Sequence, residues 1–264
     1  MPEARPKLIT FAASHFCEKG RWALDWHGIA YDEVGWPPGV HQILARRCGA
    51  KHSTVPILLE GEGVIQGSSA IIDWAESKAN DPGRSLNPGA NRAEAKDIER
   101  RADAALGVHV RRLAFAELLP AHASMVKPAL FYRASGWRRL AGDMMWPVSW
   151  RVMMRMYGIV PGAAADSRSK LEAELDWLDA KLADGRLYLV GDRFSRADLT
   201  VASLLANFAR PTELAAEHGM SGSDALARDI ERWRERPVMR WIKGLYRTHR
   251  HAGPAPPANS PGAG

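Results

Sequence analysis

Residues 188–199, Tyr-Leu-Val-Gly-Asp-Arg-Phe-Ser-Arg-Ala-Asp-Leu, contain the predicted start of a helix. Ser195 is followed three residues later by Asp198, a spacing that resembles a capping box, with Asp in place of the usual Glu or Gln. In a capping box the two side chains bind backbone N–H groups that the helix itself leaves unpaired. Apolar residues follow at helical spacing: Val201, Leu204, Leu205 and Phe208. The stretch therefore predicts an apolar helix that begins at Ser195.

The surrounding half of the chain carries helical patterns and almost no strand signals. Four leucines recur at the spacing of one core-facing helical stripe: Leu171, Leu175, Leu178 and Leu182. Ala90 to Leu119 is a long helical stretch that we expect to end at Pro120. We therefore predict an all-helical domain over residues 90–251. Ala252 to Gly264 is rich in Pro, Gly and Ala and has no core-forming residues, which predicts a disordered tail.

The first 80 residues instead alternate between short strand-like runs and helical patterns. The predicted strands are Leu8–Ala12, Tyr31–Val34, Ile57–Leu59 and Val64–Ile65. The predicted helices are Phe16–His27, Val40–Arg47 and one that begins at Ser68. This β-α-β-α-β-β-α order predicts an α/β domain over residues 7–80. A flexible N-terminus at residues 1–6 precedes it, and a linker at residues 81–89 follows it.

Composition excludes several classes of protein. The 264 residues are 46% hydrophobic and 25% charged, which is ordinary for a globular chain and excludes collagen-like, coiled-coil and wholly disordered classes. Two cysteines cannot form a disulfide framework, so we expect a reducing, cytoplasmic location. No uncharged run approaches the roughly 18 residues that cross a bilayer, and no apolar signal core precedes the first domain. The histidines show no ligand-pair spacing, so we expect no metal.

The net charge of +6 is concentrated in two segments. Between Pro120 and Val160, six basic residues face one acid, and between Arg232 and Arg250, seven basic residues face one acid. The rest of the chain is mildly acidic. Neither segment matches a recognised nucleic-acid-binding motif, so we expect no nucleic acid partner.

Four segments, taken in order, resemble the cytosolic glutathione S-transferase superfamily in its bacterial-type form. The first strand and the run Ser14-His15-Phe16-Cys17 resemble its serine or cysteine active-site turn. Thr54-Val55-Pro56 resembles its Val-Pro step, and Gln66-Gly67-Ser68-Ser69 resembles the segment that holds the γ-glutamyl end of glutathione. Residues 188–199 resemble its folding motif. The resemblance implies a thioredoxin-like domain followed by an all-α helical bundle, which together form the glutathione transferase fold.

The resemblance also implies an activity and a set of partners. We expect an enzyme that conjugates the glutathione thiolate to small hydrophobic electrophiles, a detoxification reaction in which glutathione is the co-substrate. We expect a homodimer, joined between the N-terminal domain of one subunit and the long helix Ala90 to Leu119 of the other. Asp103 on that helix is expected to present its acid to the amino group of glutathione across the dimer.

Other residues acquire expected roles along the bound peptide. Val55 is expected to pair through its backbone with glutathione, as an added strand would, and Pro56 is expected to be cis. Ser68, at a helix start, is expected to bind the γ-glutamyl carboxylate. Lys51 and His52 could meet the glycyl carboxylate, or they could be ordinary solvated residues.

Two positions depart from the family pattern. His15 stands where proline is common, beside Phe16, and could place an imidazole near the ligand. Gly67 stands where Glu, Asp or Gln is common, so the contact to the amino end of glutathione is either missing or moved to Gln66. Both departures affect the expected affinity for glutathione and leave the expected fold unchanged.

Two residues of this turn, Ser14 and Cys17, are alternative candidates for the catalytic residue. A free thiol has a pKa near 8.5, so catalysis requires stabilising the thiolate. Ser14 could donate a hydrogen bond to that anion beside the positive end of the following helix, or could simply cap that helix. Cys17, three residues on, could itself carry redox chemistry or could pack against the sheet. These alternatives define a transferase that uses Ser14 and a glutathione-dependent thiol reductase that uses Cys17. A third hypothesis is a non-catalytic binding or interaction protein that keeps the fold.

The segment 120–160 is unusually rich in methionine, tryptophan and arginine. Flexible thioethers and aromatic faces suit a cavity for apolar electrophiles. Arginine and tryptophan on one amphipathic face would instead suit peripheral contact with a membrane surface. Ordinary core packing is a third interpretation of the same composition.

Overall fold

A four-stranded sheet forms the centre of the N-terminal domain. The computed structural model describes residues 5–87, 89–215 and 223–250, and the predicted tail at 252–264 and residues 1–4 lie outside them. The strands are β1 (Lys7–Thr10), β2 (Asp32–Gly35), β3 (Ile57–Glu60) and β4 (Gly63–Gln66). Their order is β2-β1-β3-β4, with β1 parallel to β2 and antiparallel to β3, and β3 antiparallel to β4.

Three helices cover the two faces of this sheet: α1 (His15–Trp26), α2 (Val40–Arg47) and α3 (Ser68–Lys78). Successive strand residues point to opposite faces. Leu8 and Leu58 therefore pack against α1 and α3, whereas Ile9 and Ile57 pack against the α2 side. The predicted β-α-β-α-β-β-α order is confirmed.

The second domain is built of helices. They are α4 (Arg92–Ala102), α5 (Val108–Leu130), α6 (Gly136–Met156), α7 (Ala163–Leu182), α8 (Arg196–Ala209), α9 (Asp224–Trp233) and α10 (Pro237–Leu245). A π-helical turn, Asp103–Gly107, joins α4 to α5, and another, Tyr246–Arg250, follows α10. Short 3-10 turns lie at Pro82–Arg84 and Gly89–Asn91. Among the described residues, no helix combines the length and apolarity needed to cross a membrane.

Helix α8 is the centre of the helical domain, and every one of its residues is buried. The predicted capping box is present, because the Asp198 carboxylate accepts from the Ser195 N–H at 2.9 Å. The same carboxylate accepts from the Leu189 N–H at 2.7 Å and so also anchors the preceding loop. The four leucines of α7 are buried as their spacing predicts.

The long helix is interrupted two residues after its predicted end at Pro120, and a second helical stretch, which the sequence analysis does not predict, follows it. Helical structure begins at Arg92 and continues beyond Pro120 to Leu130, with a kink at His122, where φ is −130° and ψ is 33°. Pro120 has no N–H to donate to the Ala116 carbonyl oxygen, which weakens the helical turn that precedes the kink. Burial of Val126 and Leu130 against the core keeps the chain helical after the kink.

Candidate active site

The turn between β1 and α1 is held by side chains and backbone from both domains. The buried Arg21 guanidinium donates to the carbonyl oxygens of Phe11 at 3.1 Å and Ala12 at 3.3 Å, and its Nε donates to the Glu33 carboxylate at 2.7 Å. From α8, Asn207 donates to the Ala13 carbonyl at 3.2 Å. No local sequence pattern indicates the roles of Arg21 and Asn207, because their partners lie on other elements.

Backbone pairing completes this clamp. The Ala12 N–H donates to the carbonyl oxygen of Ala129, in the last turns of α5, at 3.1 Å. Residues 12–13 therefore have fixed hydrogen bonds to the helical domain, and the position of Ser14 is set by both domains together.

Ser14 caps the N-terminus of α1. Its Oγ accepts from the Cys17 N–H at 3.3 Å. A hydroxyl that accepts at one lone pair keeps its own proton free to donate. The side chain is half-buried and lines the cavity described below. Ser14 thus fits both interpretations at once, since it caps the helix and can donate to a bound anion.

Cys17, unlike Ser14, does not face the cavity. Its side chain is fully buried, and burial raises the pKa of its thiol above the ordinary range, although Arg21 and Ser14 act in the other direction. A neutral thiol is a weak nucleophile. This geometry is that of a small residue packed against the sheet.

His15 binds the helical domain. Its Nε2 lies 2.9 Å from the Gly107 carbonyl oxygen, and a carbonyl only accepts, so Nε2 carries the proton. Burial, followed by the nearby Arg111 charge, lowers the pKa of His15 to about 3. A Cβ on Gly107 would lie 2.3 Å from the Phe16 ring, so glycine at that position lets α5 approach the turn closely. His15 is therefore a neutral connector at neutral pH.

The Val-Pro loop lies beside this turn. The Val55–Pro56 peptide bond is cis, as the resemblance implies. The Gln66 amide is bound to the same loop: its Oε1 accepts from the His52 N–H at 2.9 Å, and its Nε2 donates to the carbonyls of His52 and Thr54. The Gln66 side chain is therefore occupied within its own domain.

Gly67 has a backbone reason for being glycine. Its φ is +92°, a conformation that residues with side chains rarely adopt, and open space surrounds the position of a Cβ. Its N–H donates to the Pro56 carbonyl at 3.0 Å. Ser68 follows as the first residue of α3 and is buried.

The Asp103 carboxylate is paired within its own chain. It accepts from the Lys19 ammonium at 2.8 and 2.9 Å and from the Ser69 hydroxyl at 2.9 Å. Lys19 is fully buried and also lies 2.8 Å from Glu99. Asp103 is therefore already engaged in charged contacts within its own subunit, and its contact with glutathione across a dimer stays a prediction.

A cavity of about 430 Å³ opens at the turn between β1 and α1. Four predicted residues line it together: Ser14, His15, Phe16 and Val55. Lys51 and His52 line a separate depression beside it with Arg46 and Thr54. The other predicted site residues are not among those that line the cavity: Cys17, Pro56, Gln66, Gly67, Ser68 and Asp103.

The segment 120–160 forms much of the far wall of this cavity. Its contribution consists of Met125, Val126, Pro128, Ala129, Leu130, Tyr132, Met153, Met156 and Tyr157. On the outward face of α6, Trp137, Leu140, Met144 and Val148 are exposed. The pocket and membrane interpretations of this segment thus concern different parts of it, and contact with a membrane stays a prediction.

Sequence reasoning missed Arg111, which also lines the cavity. Its guanidinium lies over the Tyr157 ring, 4.5 Å from the centroid. The signal was present in the chain, since Ala114, Phe115 and Leu118 follow at helical spacing and line the cavity with it. No cluster of three or more His, Cys, Asp or Glu that could hold a metal occurs in the part of the chain that the structure describes.

Comparison with known proteins identifies the family. Residues 8–83 match the model of the glutathione S-transferase N-terminal domain, and residues 161–244 match that of the C-terminal domain. The chain belongs to the glutathione S-transferase superfamily, and its thioredoxin-like domain and helical domain form that fold. No curated protein matches it in sequence.

Solved structures share the fold at low identity. Beta-etherase LigF from Sphingobium sp. strain SYK-6 is 18% identical with a TM-score of 0.60, over 90% of this chain and 98% of that one. Glutathione transferase GSTFuA3 from Phanerochaete chrysosporium is 19% identical with a TM-score of 0.59, over 94% and 98%. Glutathione S-transferase III in its apo form is 18% identical with a TM-score of 0.60, over 97% and 100%.

Proposed function

We propose that this protein is a glutathione transferase that conjugates the glutathione thiolate to small apolar electrophiles, a detoxification activity. The observation that carries the proposal is the position of Ser14, whose hydroxyl caps α1 and opens onto an apolar cavity. Membership of the glutathione S-transferase superfamily supports a glutathione-related transferase.

Ser14 and α1 would supply the stabilisation of the thiolate. The Ser14 hydroxyl donates a hydrogen bond to the sulfur, and the N-terminal end of α1 adds a favourable dipole. The thiol proton leaves to solvent, and the sulfur attacks an electrophilic carbon held against the far wall. A carbon–sulfur bond forms as the leaving group departs or as the electrons shift onto the acceptor.

The peptide part of glutathione would lie along the N-terminal domain. We place its backbone against Val55 before the cis Pro56, its γ-glutamyl carboxylate at Ser68 and its glycyl carboxylate near Lys51 and His52. Neither of the two expected positions offers a free carboxylate to the amino group of glutathione, because Gly67 lacks a side chain and Asp103 is paired with Lys19.

That missing contact favours a second candidate, a non-catalytic protein of the same fold that binds ligands or partners. The Gln66 amide is committed to the Val-Pro loop, which removes another group for the amino end. The thiol reductase hypothesis has less support, since Cys17 is buried and its thiol pKa is raised. Titration calorimetry with glutathione separates the two main candidates, because binding favours the transferase.

We also propose a homodimer and a cytoplasmic location, both from the family resemblance. The outward side of α4 is polar and charged, with Arg92, Glu94, Asp97 and Arg100 exposed. A dimer formed there would therefore rely on polar contacts. Sedimentation at micromolar concentration distinguishes the dimer from a monomer.

The transferase mechanism predicts that Ser14→Ala raises the pKa of bound glutathione and lowers turnover at pH 7. Loss of one charge-assisted hydrogen bond corresponds to roughly 10- to 150-fold in rate. The measurements are conjugation of a general aromatic electrophile and the ultraviolet absorbance of bound thiolate against pH.

Cys17→Ala is the matched control, since it alters the same turn and is expected to change turnover little. If Ser14→Ala leaves the titration unmoved while Cys17→Ala abolishes activity, the serine mechanism is wrong and the reductase replaces it.

A further inference from the structure

Arg111 is an isolated charge in the cavity. Among the described residues, no aspartate or glutamate lines that cavity. The two lining histidines are neutral at neutral pH, because burial lowers the pKa of His15 to about 3 and that of His41 to about 4. Arg111 is therefore the one charged side chain among the lining residues that the structure describes.

One hydrogen-bond donor of the Arg111 guanidinium also lacks an acceptor. Its Nε is buried and has no hydrogen-bond partner within the described residues. Two aromatic rings hold the guanidinium in place, with the Tyr157 centroid at 4.5 Å and the Phe16 centroid at 5.9 Å. A buried donor without an acceptor is costly, and a ligand in the cavity could supply that acceptor.

The neighbouring arginine shows the contrast. Arg112 pairs with Asp166 and donates to the Gly158 carbonyl, and it does not line the cavity. Two adjacent arginines of one helix thus differ in whether a carboxylate in the chain satisfies them.

The lining residues next to Arg111 along α5 are apolar: Ala114, Phe115 and Leu118. This wall belongs to the helical domain, whereas the groups that we assign to glutathione belong to the N-terminal domain. The two carboxylates of glutathione are assigned elsewhere, at Ser68 and near Lys51 and His52, so a carboxylate at Arg111 would belong to the acceptor molecule.

We propose that the acceptor site is selective for aromatic or similarly flat apolar electrophiles that carry a carboxylate, which Arg111 binds while the ring lies among Phe16, Phe115 and Tyr157. This inference rests on the proposed transferase function for the reaction and on the cavity for the recognition. Charge-assisted hydrogen bonds from a planar guanidinium fit a carboxylate better than any neutral group.

The test compares 4-chloro-3-nitrobenzoate with its methyl ester. In both, the glutathione sulfur forms a bond to the ring carbon, the carbon–chlorine bond breaks and chloride leaves with its electron pair. We expect Arg111→Gln to lower kcat/KM for the benzoate about 10- to 100-fold more than for the ester. The loss of kcat/KM for each compound is the ratio of wild type to variant. Comparing the two losses removes the intrinsic difference in reactivity between the compounds.

Two further variants make the result specific. Arg111→Lys keeps the charge and should retain part of the preference, whereas Arg112→Gln removes a charge from the same helix and should leave the ratio within about twofold. Equal losses for both compounds in Arg111→Gln, or no loss for either, would overturn the proposal. The KM for glutathione should stay unchanged, and a selective rise in it would overturn the assignment of Arg111 to the acceptor.

Calorimetry separates this inference from the proposed function. We expect the wild-type chain to bind 4-nitrobenzoate about tenfold or more tightly than 4-nitrobenzamide, and Arg111→Gln to abolish that difference. Conjugation of the ester without this binding preference would refute the acceptor proposal and keep the transferase. Arg111-dependent benzoate binding without any conjugation would keep the acceptor site and refute the transferase.

Discussion

At the scale of single residues, the neutral His15 ring joins the turn between β1 and α1 to the helical domain through a hydrogen bond. The ring is buried and donates from Nε2 to the Gly107 carbonyl, and Arg111 lies near enough to disfavour a second positive charge. Protonation would place an imidazolium in this apolar region. The neutral state of the His15 ring therefore helps to keep residues 11–16 in place.

His15 makes stability depend on pH in a defined direction. Its folded pKa of about 3 lies below the unfolded value of 6.5, so its contribution is present above pH 6.5 and is lost as pH falls toward 3. Between pH 7.5 and pH 5 this one group should remove about 2 kcal/mol of unfolding free energy. Urea unfolding of wild type and His15→Gln at the two pH values should differ by that amount.

His52→Gln is the control, because His52 is exposed. It should lose stability on acidification to the same extent as the wild type. A His15→Gln protein that keeps the full pH dependence would show that His15 is not the group responsible.

Some residues of the candidate site could be predicted from the sequence, and others could not. Ser14, Phe16 and Val55 were predictable, because each belongs to a local motif, and all three line the cavity. Arg111 and the pairing of Asp103 with Lys19 were not, since both depend on contacts between distant segments. The sequence shows that Gly67 departs from the family pattern. Its positive φ, which explains the glycine, is visible only in the folded backbone.

At the scale of elements, the start of α8 depends on Asp198. Its buried carboxylate accepts from the backbone of Ser195 and Leu189 and from the Ser195 hydroxyl. Asp198→Ala should lower the unfolding free energy by about 3 kcal/mol, since two buried N–H groups lose their acceptor. Ser195→Ala should cost about 1 kcal/mol, as other N-cap truncations do. Denaturant titration measures both.

Ser223 provides the comparison at another helix start. It caps α9 by accepting from Ala225 and Leu226 at 3.2 and 3.4 Å, near the surface. Ser223→Ala should cost no more than about 1 kcal/mol. If Asp198→Ala were equally mild, the anchoring of the Leu189 loop would carry no stability.

Element prediction succeeded where the signal was local. The strands, α2 and the capping box follow from periodicity and turn residues. The extension of α5 past Pro120 did not follow, because burial of Leu118, Val126 and Leu130 on both sides of the kink outweighs the local preference of proline.

At the scale of the whole molecule, buried charges join the two domains. Lys19 from α1 meets Glu99 of α4 at 2.8 Å and Asp103 of the π-helical turn, and Arg196 from α8 joins Glu99 to Asp73 of α3. Lys19, Glu99 and Arg196 are almost fully buried. Such a network stabilises one arrangement of the domains only while every charge keeps its partner.

Removing Lys19 should therefore be more damaging than removing a surface lysine. Lys19→Met leaves Glu99 and Asp103 short of a cation, and we expect a loss of about 3 to 5 kcal/mol in unfolding free energy. Lys181→Met breaks the exposed contact with Glu94 at 3.3 Å and should cost less than about 1 kcal/mol. Adding Glu99→Leu to Lys19→Met should cost less than the sum of the single variants, because the unpaired carboxylate is removed. Strict additivity in that double-mutant cycle, or equal losses for Lys19→Met and Lys181→Met, would show that the domains are held by apolar packing and not by the buried charges.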